Sequence, residues 1–380
     1  MNLRIYGLFA IAALAATIGG PQTLAQKAYI TNQNSGNVSV VDTKTNTVIA
    51  TIPIGNSPDG VAVTSDGSRA YVTITGQLSA VDTATNTVIP IASVGGEPFG
   101  VAVTPDGTKV YVANESGNYV SVIATASNTV IATIPVGGGR GVVVSPDGTR
   151  VYLADNNSDS VWVVDTATNL LIATIPIGDS LFGLAVTPDG TKVYVAEFNL
   201  GSVAEIDTAT NTVKATMPVG KNPHGVAVTP DGTKVYVANA VTDNVSVIDT
   251  ATNAVKITIP VGMDPDGVAV TPDGSKVYVA NSQSNSVSVI DVATNTVVAA
   301  VPVGTAPIAF GVFIQPEKPP PKFAGTPGKA NCFGVSVTAL VPQYGGLNGA
   351  AAALGYPSVR ALQQAIMEFC ERLTREDATR

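Results

Sequence analysis

The 380-residue chain is apolar, with 45% hydrophobic residues and only 13% charged residues, a composition that excludes a disordered chain. Its formal net charge is −8 and its pI is about 4.7. This balance disfavours binding to nucleic acid or to an anionic membrane, because both need basic patches.

The first 25 residues have the pattern of a secretory signal. Arg4 supplies a positive charge, residues 5–18 form a short apolar core, and Thr23–Ala25 offers small residues for cleavage. The apolar run is shorter than the roughly 20 residues that a membrane span needs, so a retained anchor is the weaker alternative. We expect a mature chain that begins at Gln26, has no transmembrane span, and is periplasmic, secreted or on the cell surface.

Residues 26–315 repeat one pattern seven times. A full copy, GVAVTPDGTKVYVANAVTDNVSVIDTATNAVKITIPVG (Gly225–Gly262), contains four short Val-rich stretches separated by turn residues. Four strands in about 42 residues are typical of a propeller blade, so the sequence predicts an all-β, seven-bladed β-propeller of four-stranded blades. One tyrosine marks each copy, at spacings of 40 to 42 residues: Tyr29, Tyr71, Tyr111, Tyr152, Tyr194, Tyr236 and Tyr278.

The two ends of the repeat region complement each other. The first copy, Ala28–Gly55, lacks the leading GVAVTPDG, and a degenerate version of it, GVFIQPEK, appears at Gly311–Lys318. We therefore expect residues 311–315 to supply the missing innermost strand of blade 1. This strand would close the ring and leave no open sheet edge there.

The motifs VTPDGTKVYVAN, VSVIDTATNTV and ATIPVG resemble the repeat of the YVTN family of β-propellers, found in exported and cell-surface proteins of bacteria and archaea. The likeness extends over residues 27–315. It implies the propeller fold and a binding scaffold rather than one enzyme class, since a fold does not fix a function.

After the repeats, residues 316–330 form a Pro/Gly linker, and residues 331–380 are predicted to form a small α-helical domain. Cys332 and Cys370 are the two cysteines of the chain. An oxidising compartment favours a disulfide between them, and the alternative is two free buried thiols. Apolar residues recur at helical spacing after the candidate N-cap Ser358: Val359, Leu362, Ile366, Phe369, Cys370 and Leu373.

Comparison of the seven copies separates scaffold residues from candidate site residues. Aspartate recurs in two turn slots, PDG and DTATN, where its side chain can accept hydrogen bonds from nearby backbone amides. These residues, 12 of the 28 acidic residues, are interpreted as turn formers: Asp66, Asp106, Asp147, Asp189, Asp231 and Asp273 in the first slot, and Asp42, Asp82, Asp165, Asp207, Asp249 and Asp291 in the second.

One slot varies while its surroundings do not. It is the residue before the Gly of GVAV, where the chain enters the innermost strand beside the central channel. Both turns, PDG and DTATN, belong to one face, the bottom, so this slot belongs to the opposite face, the top. We predict a ligand-binding ring around the channel mouth on the top face, formed by Asp59, Phe99, Arg140, Phe182, His224, Asp266 and Phe310.

A second variable slot ends the YVAN strand and holds Asn32, Ile74, Asn114, Asp155, Glu197, Asn239 and Asn281. Asp155, Glu197, Asn239 and Asn281 carry hard oxygen ligands suited to Ca²⁺ or Mg²⁺. With His224 as a candidate general base, they form the metal site of an alternative, enzymatic hypothesis.

The favoured hypothesis is an exported, non-catalytic binding propeller, monomeric and without a cofactor, whose acidic and aromatic mouth takes a small cationic ligand, a peptide or a protein partner. The enzyme alternative is a lactonase-like, Ca- or Mg-dependent hydrolase or lyase. Nucleic-acid binding is a minor alternative that rests on the bottom-face cations. The top-loop charges outside the ring are mostly acidic: Glu97, Glu115, Asp159, Asp179, Asp243 and Asp264, against Lys221.

Overall fold

The computed structural model describes residues 26–137, 139–316, 347, 359–364 and 366–367. The chain divides into two compact units, residues 25–319 and residues 1–24 with 320–380. In the latter unit residues 359–364 are helical, and Leu362 and Ile366 are fully buried, as the apolar spacing predicts. The predicted signal sequence, most of the predicted linker, Cys332 and Cys370 lie outside the described residues.

The seven repeats form seven antiparallel sheets, which confirms the predicted propeller. Blade 1 contains β1 (Lys27–Asn32), β2 (Asn37–Asp42) and β3 (Thr47–Pro53). Blade 2 contains β4 (Val61–Val63), β5 (Arg69–Ile74), β6 (Gln77–Asp82) and β7 (Val88–Ser93), and blade 3 contains β8 (Pro98–Val103), β9 (Lys109–Asn114), β10 (Tyr119–Ala124) and β11 (Thr129–Ile134). Blade 4 contains β12 (Gly139–Val144), β13 (Arg150–Asp155), β14 (Ser160–Asp165) and β15 (Leu171–Pro176), and blade 5 contains β16 (Leu181–Val186), β17 (Lys192–Glu197), β18 (Ser202–Asp207) and β19 (Thr212–Pro218). Blade 6 contains β20 (Pro223–Val228), β21 (Lys234–Asn239), β22 (Asn244–Asp249) and β23 (Ala254–Pro260), and blade 7 contains β24 (Pro265–Val270), β25 (Lys276–Asn281), β26 (Ser286–Asp291) and β27 (Thr296–Pro302).

The hydrophobic core lies between neighbouring blades. The second and third strands of each blade are almost wholly buried, whereas most residues of the fourth strand are exposed, as in β23. Two of the marker tyrosines also bond to the next blade in the ring: the Tyr111 hydroxyl donates to Asn169 Oδ1 at 3.1 Å, and the Tyr278 hydroxyl donates to Asn46 Oδ1 at 2.6 Å. The marker tyrosine is therefore a packing residue, which explains why it recurs in every copy.

The first strands of adjacent blades pack directly against each other through glycine. A Cβ atom on Gly183 would lie 2.3 Å from the carbonyl oxygen of His224 in the next blade, so only glycine fits. The same close approach recurs at Gly60, Gly100, Gly141 and Gly225, each against the carbonyl of the mouth residue of the next blade. The glycine of GVAV therefore lets the innermost strands converge on the top face.

The segment Pro307–Gln315 completes blade 1 and joins the two ends of the ring. Tyr29 N donates to Phe313 O at 2.9 Å, and Gln315 N donates to Lys27 O at 2.8 Å. The segment also bonds in parallel to β4 of blade 2, where Val61 N donates to Phe310 O. Its register differs from that of the other blades, since Gly267 faces the carbonyl of Ala309 rather than that of Phe310.

A ring of cations ties the bottom face together. In every blade a Lys or Arg begins the strand next to the innermost one, which in blade 1 is β1. Its side chain donates to a backbone carbonyl in the DTATN turn of the next blade, and the last bond joins blade 7 to blade 1. The seven donor–acceptor pairs are Lys27–Thr83, Arg69–Thr125, Lys109–Thr166, Arg150–Thr208, Lys192–Thr250, Lys234–Val292 and Lys276–Thr43.

Candidate functional site

A β-bulge places each mouth residue of blades 3 to 7. In blade 6, Pro223 pairs with Asn239 and Val226 pairs with Val237, so His224 and Gly225 share one partner position. Equivalent irregularities occur in the other four blades. A bulge turns a side chain away from the regular strand direction. Here each bulge contains the glycine that leaves room for the backbone of the next blade.

The three mouth phenylalanines meet across the channel, although they come from blades that are not adjacent. The Phe99 ring lies 5.2 Å from Phe310 and 6.3 Å from Phe182, and Phe182 lies 6.3 Å from Phe310, between ring centroids. Phe182 and Phe310 are buried, with exposures of 4% and 5%. The structure thus brings three of the seven predicted ring residues together as an aromatic cluster at the mouth.

His224 forms one side of this cluster. Its ring is stacked on Phe182, with centroids 4.3 Å apart, and Phe198 stacks on both rings. Its Nδ1 lies 3.4 Å from Oδ1 of Asp266. The Asp266 side chain is buried, and its Oδ1 receives no hydrogen bond.

Arg140 is the one arginine or lysine among the seven mouth residues, and it is already paired. Its guanidinium bonds to Glu115 Oε1, with Nε at 2.7 Å and Nη2 at 2.6 Å. Its guanidinium carbon also lies 4.4 Å from the Phe182 ring centroid, a cation–π contact. Glu115 therefore offsets the charge of Arg140, and the remaining mouth charges are carboxylates.

Asp59 is half-buried at the mouth and accepts a hydrogen bond from Gln33 Nε2 at 2.7 Å. The pKa of Asp59 is raised to about 6, chiefly by burial. The carboxylates of Asp266 and Glu115 contribute to the rise, and the hydrogen bond from Gln33 and the charge of Arg140 oppose it. Asp59 and Asp266 therefore form a pair of like charges within interaction range.

A third variable slot contributes to the mouth and was missed by the sequence comparison. It is the residue that follows the second strand, and three of its members reach the mouth residue of the next blade: Gln33 contacts Asp59, Glu115 contacts Arg140, and Phe198 contacts His224. The signal was present, because this slot varies among the copies as the mouth slot does.

Similarity to known proteins agrees with this architecture. Residues 184–273 match the model of the YNCE-like beta-propeller family. The chain is a seven-bladed propeller of the YVTN type. No curated protein sequence matches it.

Solved structures similar to this YVTN-type propeller include three with different titles. Hydrazine synthase of Kuenenia stuttgartiensis is 27% identical, with a TM-score of 0.64, over 70% of this chain and 92% of that chain. A protein of unknown function from Desulfotomaculum acetoxidans DSM 771 is 19% identical, with a TM-score of 0.65, over 76% of this chain and 100% of that chain. Dihydro-heme d1 dehydrogenase NirN in complex with DHE is 14% identical, with a TM-score of 0.56, over 76% of this chain and 75% of that chain.

The four residues of the candidate metal site in this YVTN-type propeller lie in four different blades, each with partners of its own. Asp155 accepts a hydrogen bond from Ser158, Glu197 from Ser202, and Asn239 and Asn281 donate to serines of their own third strands. Within the described part of the chain, no group of three or more His, Cys, Asp or Glu residues is placed to hold a metal ion.

Two of the acidic top-loop residues have structural roles. Asp159 and Asp243 adopt positive φ angles of 51°, and their Oδ1 atoms accept hydrogen bonds from the backbone amides of Ser180 and Asp264. Asparagine and glycine occupy the same slot in other blades, at Asn285 for example. These two carboxylates therefore belong to the loops of the YVTN-type scaffold rather than to the mouth.

Blade 5 of the YVTN-type propeller carries a buried carboxylate that the sequence comparison also missed. Glu205 is 4% exposed and occupies a slot that holds Val or Ala in the other six blades. It accepts hydrogen bonds from Lys192 at 3.3 Å and from the Tyr194 hydroxyl at 3.4 Å. Burial, and after it the neighbouring Glu205 carboxylate, raise the pKa of Tyr194 well above its usual range.

Among the described residues of this YVTN-type propeller, no helix is both long and apolar enough to cross a membrane.

Proposed function

We propose that this propeller is an exported, non-catalytic binding module whose channel mouth takes a cationic group, either a small amine or a basic side chain of a peptide or protein partner. The observation that carries the proposal is the pair of carboxylates at the mouth, Asp59 and Asp266. Asp266 Oδ1 is buried without a hydrogen-bond donor, and Asp59 lies close enough to Asp266 for the two charges to interact.

The charge balance of the mouth favours a cation. Glu115 is already paired with Arg140, and the basic group beside Asp266 is the imidazole of His224, with Nδ1 3.4 Å from Asp266 Oδ1. A ligand ammonium or guanidinium would supply the donor that Asp266 lacks, and each such charge-assisted hydrogen bond contributes about 1.5–3 kcal/mol.

The aromatic neighbours suit the same ligand. Phe310 stands between Asp266 and Asp59 in ring order, and Phe99 is half-buried beside it at the mouth. A cation over an aromatic ring gains about 0.5–2 kcal/mol, depending on how far it is desolvated. Carboxylates and aromatic rings at one mouth therefore favour amines and guanidinium groups over anions.

No specific observation favours either of the alternative functions, nucleic-acid binding or a metal-dependent enzyme. The bottom-face cations, on which nucleic-acid binding depended, donate to turn carbonyls of the next blade. The four oxygen-bearing side chains of the metal hypothesis are spread over four blades. Export is supported by the leader pattern of residues 1–25.

The test is binding of a fluorescein-labelled oligolysine peptide, followed by fluorescence anisotropy at low ionic strength. We expect the double variant Asp59→Asn/Asp266→Asn to weaken binding by roughly tenfold or more, because both carboxylate charges are lost. Asp179→Asn is the matched control, since it removes one exposed charge from the same face away from the mouth. No binding by the wild-type protein, or equal loss in the Asp179→Asn control, would refute the proposal.

A further inference from the structure

The central channel contains a cavity on the opposite side of the aromatic cluster from the mouth. Its volume is about 450 Å³, and its lining runs from Phe310 down the innermost strands to Ser65, Pro105 and Pro272 beside the bottom-face turns. Cavities of roughly 300–1,000 Å³ are typical of small-molecule sites. The cavity is therefore large enough for a ligand of its own.

The wall of this cavity is apolar. Its lining residues are Gly, Ala, Val, Leu, Ile, Pro and Phe except for three hydroxyl residues at the bottom, Thr64, Ser65 and Thr104, and none is charged. The Thr64 and Thr104 hydroxyls are already engaged, since they donate to Asp66 and Asp106. An apolar group is the kind of ligand that gains most from such a wall.

The cavity is open to solvent through the bottom face. Val312 lines it and is 61% exposed, although the side chain is aliphatic. Valines at the bottom ends of the innermost strands, such as Val144 and Val228, are also incompletely buried. The wall therefore presents accessible apolar surface rather than a sealed core.

Three carboxylates lie beside the bottom-face lining of the cavity. Three lining residues, Ser65, Pro105 and Pro272, each directly precede an exposed turn aspartate: Asp66, Asp106 and Asp273. Hydrogen bonds from Thr104 and Thr108 hold the pKa of Asp106 below its usual range, so this carboxylate stays ionised around neutral pH.

The neighbouring cations do not turn towards this opening. Arg69, Lys109 and Lys276 reach instead to turn carbonyls in the adjacent blades, at the outer strands. The aspartates therefore lie next to the lining of the cavity, and Lys109, whose charge also lowers the pKa of Asp106, has its ammonium group bonded to the adjacent blade. A molecule that enters from the bottom meets carboxylates first and an apolar wall beyond them.

We infer that the channel is a second ligand site, which takes an elongated apolar molecule with a cationic head group. The apolar chain would lie along the Val and Ala residues of the innermost strands, and the head group would remain at the rim beside Asp66, Asp106 and Asp273. The site is distinct from the mouth, because Phe310 and its aromatic partners lie between them.

The test compares two probes with the same alkyl chain and opposite charge. Decyltrimethylammonium and decanoate are titrated into the full-length protein by isothermal calorimetry, below their micelle concentrations. We expect saturable binding of decyltrimethylammonium and binding of decanoate that is weaker by roughly tenfold or more, because the rim carboxylates repel it.

Variants locate the site. Ala227→Phe fills the channel at a lining position that is only half-buried, and it should abolish decyltrimethylammonium binding. Val298→Phe, on the exposed outer strand of blade 7, should leave binding unchanged. Asp59→Asn/Asp266→Asn should also leave it unchanged, which separates this site from the mouth.

Three results would overturn the inference: equal binding of decanoate, unchanged binding in Ala227→Phe, or loss of binding in Asp59→Asn/Asp266→Asn. The last result would place the alkylammonium probe at the mouth and would support the proposed function instead.

Discussion

The imidazole of His224 lies parallel to the Phe182 ring, with 1° between the two planes and 4.3 Å between the centroids. The single histidine of the chain is thereby part of an aromatic stack, and its Nδ1 faces the carboxylate of Asp266. This arrangement makes His224 part of the wall of the channel mouth, in keeping with its place among seven variable mouth residues.

The charge on Asp59 should make stability depend on pH. Because the pKa of Asp59 is raised to about 6, the folded protein holds this proton more tightly than the unfolded chain does. Its contribution to the free energy of unfolding is therefore full below about pH 4 and is lost as the pH rises through about 6. The Asp59→Asn variant has no carboxylate at this position and so does not lose this contribution. Its free energy of unfolding minus that of wild type should therefore increase by about 1–2 kcal/mol from about pH 4.5 to about pH 7.5.

Urea unfolding of both proteins at the two pH values measures this difference. Asp179→Asn again serves as the control for an exposed carboxylate on the same face. A constant difference between Asp59→Asn and wild type across this range would contradict the assignment of the raised pKa to Asp59.

Gly183→Ala should destabilise the propeller more than Gly107→Ala does. A Cβ at Gly183 meets backbone atoms of the next blade, which have no flexible end that could move aside. We expect a loss of about 3 kcal/mol there, since two blades must separate. Gly107 has a positive φ of 71° but open space around its Cβ position, so Gly107→Ala should cost about 1 kcal/mol. Chemical denaturation of both variants measures the two losses in the free energy of unfolding. Equal losses would show that the inner strands are not in contact.

Glu205→Val should be nearly neutral or stabilising, although it removes a buried ion pair. Six blades already hold an apolar residue in this slot, and Lys192 retains its bond to Thr250 O. Lys192→Met should instead cost about 3 kcal/mol, because it leaves the Glu205 carboxylate buried without a cation. Thermal unfolding of the two single variants and the double variant measures the coupling. A larger loss in Glu205→Val than in Lys192→Met would contradict this account.

Phe313→Ala should weaken the closure of the ring. Phe313 is fully buried in the segment that joins blade 1 to blade 2, so its truncation should cost about 3–5 kcal/mol. Val298→Ala, at a position that is 54% exposed on the outer strand of blade 7, should change stability by about 0.5 kcal/mol or less. Differential scanning calorimetry compares the two, and a small effect of Phe313→Ala would mean that the ring is stable without this segment.

The candidate site was only partly predictable. The variable slot before GVAV identified residues that do meet at one mouth, because a repeat places equivalent positions in a ring. Phe198 was missed, and Glu115 was predicted only as an acidic top-loop residue and not as the partner of Arg140, because these contacts cross from one blade to the next. The apolar cavity below Phe310 was missed as well, since it exists only between the converging strands of many blades.

The sequence by itself determined the seven-bladed architecture, because period, turn residues and buried tyrosines recur locally in every copy. It also determined which aspartates form turns, since their hydrogen bonds span two or three residues. Only the tertiary structure decided which carboxylate oxygen lacks a hydrogen-bond donor and which cations are already hydrogen-bonded or ion-paired. Those outcomes depend on distances between blades, such as Lys276 to Thr43 and Arg140 to Glu115, that no single copy of the repeat contains.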